Sequence, residues 1–174
     1  TLETESLIAT SHKGYVPRGG LVYAKDKKLL IAGYEDGMLD FYNLKKRQLV
    51  FGIIAENQAY WGLLYNAQNL KIYAHVKPGT IKVWNFEGER PIWESDINYE
   101  DAGDKPMGIM IVDNYLAALS NSDKVHIIDL EKKTVAKKIE VPDLKCQTAL
   151  FIPKEKRIVI ADENVSKVGI LKLH

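Results

Sequence analysis

The sequence predicts an all-β fold in which four similar antiparallel sheets follow one another along the chain. The first observation is a six-residue pattern (apolar, variable, two apolar, polar, apolar) that occurs four times at offsets of 42, 44 and 43 residues, over 39–44, 81–86, 125–130 and 168–173. The second observation is an alanine seven residues before each copy, inside an apolar run: Ala32, Ala74, Ala118 and Ala161. The third is a short stretch between the two that suits tight hairpin turns, for example Glu35-Asp36-Gly37.

These observations assign the strands of each unit in order. An apolar stretch opens each unit, at 20–23, 62–65, 108–111 and 149–152, and predicts the first strand. The alanine-containing run is the second strand, and the six-residue pattern, with its β-branched and aromatic residues, is the third. A more polar fourth strand follows three of the units, at 48–54, 91–95 and 134–139. We expect this fourth strand to form the half-exposed outer edge of a four-stranded sheet.

Four-stranded antiparallel units of about 43 residues have the size of β-propeller blades, which pack face to face around a central axis. The segment from Gly79 to Phe86, which contains Trp84-Asn85, is similar to the turn glycine, strand and terminal Trp-Asp of the WD-repeat family, with Asn85 in the Asp place. Residues 37–44 and 124–130 are looser copies. The Gly-His pair that usually opens a WD repeat is absent, so the chain resembles a divergent, WD-repeat-like member. The resemblance implies a non-enzymatic scaffold for protein assembly.

The domain organisation follows from the blade count. Residues 1–174 are predicted to form a single propeller domain or propeller segment, in which residues 5–10 are an outer strand shared with another blade. Either the four blades close into a small ring, or they belong to a larger propeller. Because WD-like blades usually assemble in sevens or eights, and a seventh of this chain is only about 25 residues, seven blades do not fit. We therefore favour a segment of a larger propeller.

Composition limits the functional classes. The chain has 24 Lys+Arg against 23 Asp+Glu, a net charge of +1, which argues against a general nucleic-acid binder. No apolar run reaches membrane-span length, and no signal peptide is visible. The single cysteine, Cys146, excludes an internal disulfide and favours a reducing intracellular setting, cytoplasmic or nuclear.

Catalytic or metal-binding constellations are not evident in the sequence. The four histidines have no ligand-like spacing, and His75 and His126 fall within predicted strands, where packing roles are expected. Cys146 starts a predicted strand and is expected to be a buried small side chain. The acidic stretch 96–104 has the alternating oxygens of a calcium loop but lacks its glycine and its bidentate glutamate, so a solvated loop is expected. We expect no enzyme activity, no cofactor and no metal.

The charges separate onto two faces of the predicted disc. The turns after the first and third strands of each unit emerge on one face, the lysine-bearing face, which carries 25–28, 45–47, 132–133 and 154–157. The turns after the second strands and the connections between units emerge on the opposite, acidic face. We expect this acidic face to bind other proteins, in particular a basic segment, through aromatic anchors and surrounding carboxylates. The predicted partner-binding residues are Tyr15, Arg18, Glu35, Asp36, Tyr60, Trp61, Tyr99, Asp101, Asp123 and Asp162.

Three alternatives stay open on sequence alone. The separation of charges can be a chance property of solvated turns. An enzyme or small-molecule binder would use the central channel, but the positions there offer Gly20, Trp61, Met107 and Gln147, which share no chemistry. Anionic lipid or nucleic acid would bind the lysine-bearing face, although acidic residues interrupt its lysine runs and no phosphate-binding motif is present. Further propeller blades, in the same or another chain, are expected partners.

Overall fold

The computed structural model describes residues 20–54, 59–101, 103, 105–142, 146–162 and 168–172. These residues form fifteen β-strands and one short 3₁₀ turn (Pro153–Glu155). The strands are β1 (Leu21–Ala24), β2 (Leu29–Gly33), β3 (Met38–Asn43), β4 (Gln48–Ile54), β5 (Gly62–Asn66), β6 (Lys71–Lys77), β7 (Thr80–Asn85), β8 (Ile92–Asn98), β9 (Pro106–Val112), β10 (Tyr115–Ser120), β11 (Lys124–Asp129), β12 (Thr134–Glu140), β13 (Cys146–Ile152), β14 (Arg157–Asp162) and β15 (Val168–Lys172). No described residue belongs to a helix that is long and apolar enough to cross a membrane.

The strands are arranged as four antiparallel sheets in chain order, β1-β2-β3-β4, β5-β6-β7-β8, β9-β10-β11-β12 and β13-β14-β15. Each sheet is a propeller blade, and we number the blades 1 to 4. The predicted all-β propeller fold and the three-strand core of every unit are confirmed. The fourth strand of blades 1 to 3 is also where the sequence places it. The strand predicted at residues 5–10 lies outside the described residues, so a shared outer strand for blade 4 stays a prediction, as does the domain extent of 1–174.

The hairpin turns divide into two kinds. In the turns after the second strands, Gly37 and Gly79 have φ of 80° and 77°, a conformation that glycine adopts without steric cost. The described turns after the first strands, and those after the third strands of blades 1 and 3, instead contain a non-glycine residue in the left-handed region, such as Lys28 (φ 56°) and Arg47 (φ 54°). Such residues are typical of three-to-five-residue hairpin loops that end in a left-handed position. The long charged turns of the lysine-bearing face are therefore ordered hairpins.

The hydrophobic core lies between the blades. Ile31, Leu39 and Phe41 of blade 1 are buried together with Ile72 and Trp84 of blade 2. A second cluster joins blades 2 and 3, and a third joins blades 3 and 4. Aromatic rings reinforce the first cluster, where the centroid of Phe41 lies 4.5 Å from that of Phe51 and 5.5 Å from that of Phe86. Phe41, Trp84 and Phe86, which lie in or beside the repeated third strands, are buried in this core.

The first strands of the blades lie nearest the axis, because β1 neighbours β5, β5 neighbours β9, and β9 neighbours β13. Their backbones approach closely at Gly62, where an added Cβ would lie 3.1 Å from the Cα of Gly108. Among the described residues, β1 and β13 do not pack extensively on each other. The described strands of the four blades thus pack in chain order, each first strand on the first strand of the next blade.

Candidate protein-binding face

The turns after the second strands and the connections between blades meet at one edge of the sheets. Backbone hydrogen bonds join them: Tyr99 N donates to Gly79 O at 2.8 Å, and Val141 N donates to Asp123 O at 2.7 Å. Asn121 N likewise donates to Lys105 O at 2.9 Å. The described parts of these connections are therefore tied to the neighbouring turns by backbone hydrogen bonds.

Carboxylates of three blades lie on this face. Asp123 is exposed in the turn of blade 3, and Glu100, whose side chain is 91% exposed, pairs with Lys138 at 3.2 Å. Glu35 and Asp36 are half-buried in the turn of blade 1, where Asp36 Oδ1 accepts a hydrogen bond from Met38 N. Asp162 is half-buried at the end of β14. Among the described residues of this face, the exposed lysines are Lys77 and Lys105.

Asp101 lies under this surface, with a fully buried side chain. Its Oδ1 accepts hydrogen bonds from Ser120 Oγ and from Gly103 N, each at 2.9 Å. Ser120 Oγ also lies 2.7 Å from Ser122 Oγ, in the adjoining turn. Asp101 thus holds the connection between blades 2 and 3 against the turn of blade 3. Its predicted role as a contact residue is replaced by a supporting role.

Two buried histidines flank Tyr99 beneath the same connection. Tyr99 Oη lies 3.0 Å from His75 Nε2, and the ring of Tyr99 lies 4.8 Å from that of His126. His126 Nδ1 is 4.0 Å from Asp101 Oδ2. Burial lowers the pKa of His75 to about 4, and it also lowers the pKa of His126, against the opposing effect of Asp101. Both imidazoles are therefore neutral at pH 7, as expected for packing residues.

The predicted aromatic anchors separate into buried and accessible ones. Tyr60 is completely buried and packs edge-on to Trp84, with the ring centroids 6.2 Å apart. Trp61 is half-buried just before β5, where its backbone N–H donates to His75 O. Tyr99 is half-buried. Tyr15 and Arg18 lie outside the described residues. Trp61 and Tyr99 are thus the aromatic residues that the described part of this face offers to a partner.

The sequence did not predict the buried polar cluster beneath this face. It identified Asp101 and Tyr99 but not Ser120, and it did not bring His75 and His126 together around Tyr99. The signal was present in part, because Ser120 directly follows β10's apolar run and His126 occupies the variable position of the repeat. A polar residue at a position that is apolar or variable elsewhere is typical of a buried hydrogen-bonded cluster.

Two clefts lie on the described part of the lysine-bearing face. One of about 340 Å³ lies between blades 2 and 3 and is lined by polar residues that include Asn66, Asn69 and Asn114. The other, of about 380 Å³, adjoins the turns after β5, β9 and β13. Many cations of this face already have partners: Lys133 contacts Glu94 at 3.0 Å, and Lys156 pairs with Asp113. In the described ranges, no three His, Cys, Asp or Glu side chains converge in a geometry suited to a metal ion.

Two solved structures show what this arrangement is similar to. The β-propeller domain of Cps50 (Swd1) from Myceliophteria thermophila matches with a TM-score of 0.72 and 13% identity, over 90% of this chain and 54% of that chain. The computationally designed Ika4 protein matches with a TM-score of 0.75 and 12% identity, over 99% of this chain and 100% of that chain. At these identities the likeness shows the β-propeller fold alone. The chain spans about half the length of the Cps50 propeller domain.

No family model matches the sequence, and no curated protein matches it at a significant level of sequence similarity. The propeller part of the predicted resemblance is therefore confirmed by structure, and the WD-repeat assignment stays a prediction.

Proposed function

We propose that this chain is a non-enzymatic, WD-repeat-like interaction module whose acidic face binds a basic segment of another protein. The observation that carries the proposal is the alignment of carboxylates from blades 1, 3 and 4 at one edge of the sheets, on loops fixed by backbone hydrogen bonds. Fixed loops reduce the conformational entropy lost on binding, which favours recognition by a surface of this kind.

The electrostatics of the two faces support this orientation. Carboxylates outnumber cations on the described part of the acidic face, so its field attracts a cationic segment and orients it during the encounter. Trp61 and Tyr99 add apolar contact area next to these charges, and aromatic residues contribute much of the binding energy at protein interfaces. Carboxylates around such anchors also repel acidic partners, which adds specificity.

The scaffold role includes further blades. Because Val168 and Ile170 of blade 4 are exposed where the equivalent residues of the other blades are buried, we propose that additional propeller blades complete the ring and leave the acidic face accessible. We place the module in the cytoplasm or nucleus, in keeping with its lone cysteine. The alternatives receive less support: the lysines of the opposite face are partly neutralised by Glu94 and Asp113, which weakens attraction to phosphates.

A charge-reversal experiment tests the acidic face. The probe is a fluorescein-labelled octalysine peptide, whose binding is followed by fluorescence anisotropy at low and physiological salt. The variant is Glu100→Lys with Asp123→Lys, two exposed positions. We expect its Kd to rise at least fivefold, because two attractive charges become repulsive.

The matched control is Glu87→Lys with Glu131→Lys, two exposed positions on the lysine-bearing face, which changes net charge by the same amount. We expect its Kd to change less than twofold. Equal weakening in both variants would show that the peptide responds only to net charge, and the acidic-face proposal would then be wrong. Thermal unfolding of both variants checks that they are folded.

A further inference from the structure

A buried carboxylate and a buried imidazole lie side by side beneath the acidic face. The side chain of Asp101 is 0% exposed and that of His126 is 1% exposed. Asp101 Oδ2 lies 4.0 Å from His126 Nδ1, and neither atom has a hydrogen-bond partner among the described residues. Buried polar atoms are nearly always hydrogen-bonded, so two adjacent atoms without a partner are unusual.

The protonation state of His126 determines whether these two atoms can bond. At 4.0 Å no hydrogen bond joins them, and the neutral ring has a proton on only one of its two nitrogens. When the ring takes up a proton from solvent, both nitrogens become donors, so Nδ1 then carries a proton next to the carboxylate. A charged N–H donor and a carboxylate oxygen lie about 2.7–2.9 Å apart when bonded, which requires the two side chains to approach by about 1 Å.

The carboxylate of Asp101 transmits such a movement to the surface. Its Oδ1 accepts hydrogen bonds from Ser120 Oγ and Gly103 N, each at 2.9 Å. Ser120 Oγ lies 2.7 Å from Ser122 Oγ in the turn of blade 3. A displacement of Asp101 toward His126 therefore alters the bonds that hold the connection after β8 against this turn.

We propose that Asp101 and His126 form an acid-sensitive switch, in which proton uptake by His126 joins the two side chains in an ion-paired hydrogen bond and shifts the connection after β8. The switch places a positive charge beneath the acidic face and moves one of its connections. Both changes weaken the attraction of this face for a cationic segment. This last consequence rests on the proposed function, whereas the switch itself does not.

The surroundings of His126 set the pH range of the switch. The titratable and charged groups around its ring are Asp101 and Tyr99 of the connection, His75 of β6, Lys124 of β11 and Lys138 of β12. Burial lowers the pKa of His126 from 6.5, Asp101 opposes this effect, and the two lysines add to it. The folded chain therefore binds this proton at a lower pH than the unfolded chain does, and the switch operates below pH 6.5.

The first test is a pH titration of the 174-residue chain by nuclear magnetic resonance, from about pH 7.5 to 4.5. We expect the imidazole signals of His126 to titrate with a midpoint below 6.5. The backbone amide signals of Gly103 and Ser122 should move with the same midpoint, because both residues are joined to Asp101. Amide signals that stay fixed while His126 titrates overturn the proposal.

Asp101→Asn removes the charge and keeps an oxygen acceptor for Ser120 and Gly103. We expect the midpoint of His126 to fall by at least about 0.5 pH unit, because an adjacent carboxylate favours the protonated ring. The matched control is Asp123→Asn, an exposed carboxylate of the same face, which should move the midpoint by less than about 0.2 pH unit. A midpoint that is the same in Asp101→Asn and in the wild-type chain contradicts the pairing.

His126→Gln gives a second test if Asp101→Asn does not fold. The amide signals of Gly103 and Ser122 should no longer move with the midpoint measured for His126 in the wild-type chain. If they still move with that midpoint, another group drives them and the proposal is wrong. The amide spectrum of each variant shows whether it is folded.

Octalysine binding separates the switch from the proposed function. Between pH 7 and 5, the Kd of the wild-type chain should rise at least about twofold more than that of His126→Gln, because only the wild-type chain gains the charge at position 126. If the titration reveals the switch and octalysine does not bind at either pH, only the acidic-face proposal is rejected. If octalysine binds and the amide signals ignore His126, only the switch is rejected.

Discussion

Gly62 illustrates how one residue permits two blades to approach near the axis. Its position in β5 lies against the backbone of β9, and an added Cβ would be 3.1 Å from both Gly108 Cα and Ile109 N. Contacts this short with backbone atoms are relieved only by shifting a strand. The absence of a side chain at Gly62 therefore allows close packing of neighbouring blades.

We predict that Gly62→Ala destabilises the protein by about 1–3 kcal/mol, the usual cost of overpacking a tight interface. The matched control is Gly108→Ala, because a Cβ there meets no atom within 4 Å. Urea unfolding followed by tryptophan fluorescence gives both values. Equal destabilisation in the two variants would show that replacing either glycine lowers the free energy of unfolding for a shared reason. The close contact between β5 and β9 would then not be its cause.

At the scale of elements, the connection after β8 is held to β6, β10 and β11 by one buried cluster. Tyr99 contacts His75 of β6 and His126 of β11, and Asp101 accepts a hydrogen bond from Ser120 at the end of β10. These residues come from three strands of two blades, so the cluster stabilises the blade 2 to blade 3 junction beneath the acidic face.

The cluster predicts a pH dependence of stability. The pKa of His75 falls from 6.5 to about 4 on folding, because burial disfavours its charged form. The unfolded chain therefore binds a proton that the folded chain excludes between pH 6.5 and 4, and stability falls as the pH drops through this window. We expect His75 to account for a loss of about 1 kcal/mol between pH 7 and 5.5.

Urea unfolding at pH 7 and 5.5 measures this loss. Between pH 7 and 5.5, the free energy of unfolding of His75→Gln should fall by about 1 kcal/mol less than that of the wild-type chain. This difference is expected whatever the absolute stability of the variant. Tyr99→Phe serves as the comparison, because it removes the hydroxyl contact but keeps the buried imidazole and should retain the wild-type pH dependence. An unchanged pH dependence in His75→Gln would contradict the assignment to His75.

The strands were largely predictable from sequence, because the repeat places Ala74, Ala118 and their equivalents at the same point of every second strand. The register in which the second and third strands pair was less predictable. Ile31 pairs with Phe41, Tyr73 with Val83 and Ala117 with Ile127, but Ile160 pairs with Gly169, one residue out of step. The second strand of blade 4 is apolar at four successive positions, so its pattern does not distinguish its two faces.

The candidate site was predictable only in outline. Turn order along the chain assigns Asp123 and Glu35 to one face, because alternate turns of an antiparallel sheet emerge on opposite sides. Burial within that face depends on side-chain contacts across blades, which no local pattern encodes. Tyr60 and Asp101 therefore appeared accessible from sequence, whereas packing on Trp84 and hydrogen bonding to Ser120 place them inside.

At the scale of the whole molecule, a chain of nearly zero net charge presents two unlike surfaces. The described turns after the first and third strands hold more cations than carboxylates, although Asp26, Asp113, Glu131 and Glu155 lie among them, and the described turns and connections at the opposite edge hold more carboxylates than cations. We therefore propose that the propeller carries a dipole along its axis. A dipole of this kind orients a charged partner before contact.

The most direct test of the central claim is to map where octalysine binds by hydrogen–deuterium exchange. We predict slower exchange in the turns and connections of the acidic face, at 34–37, 99–103 and 121–123, with no change in the turns at 25–28, 45–47 and 131–133. Slower exchange confined to the lysine-bearing face, or no difference on either face at saturating peptide, would contradict the claim that the acidic face is the protein-binding surface.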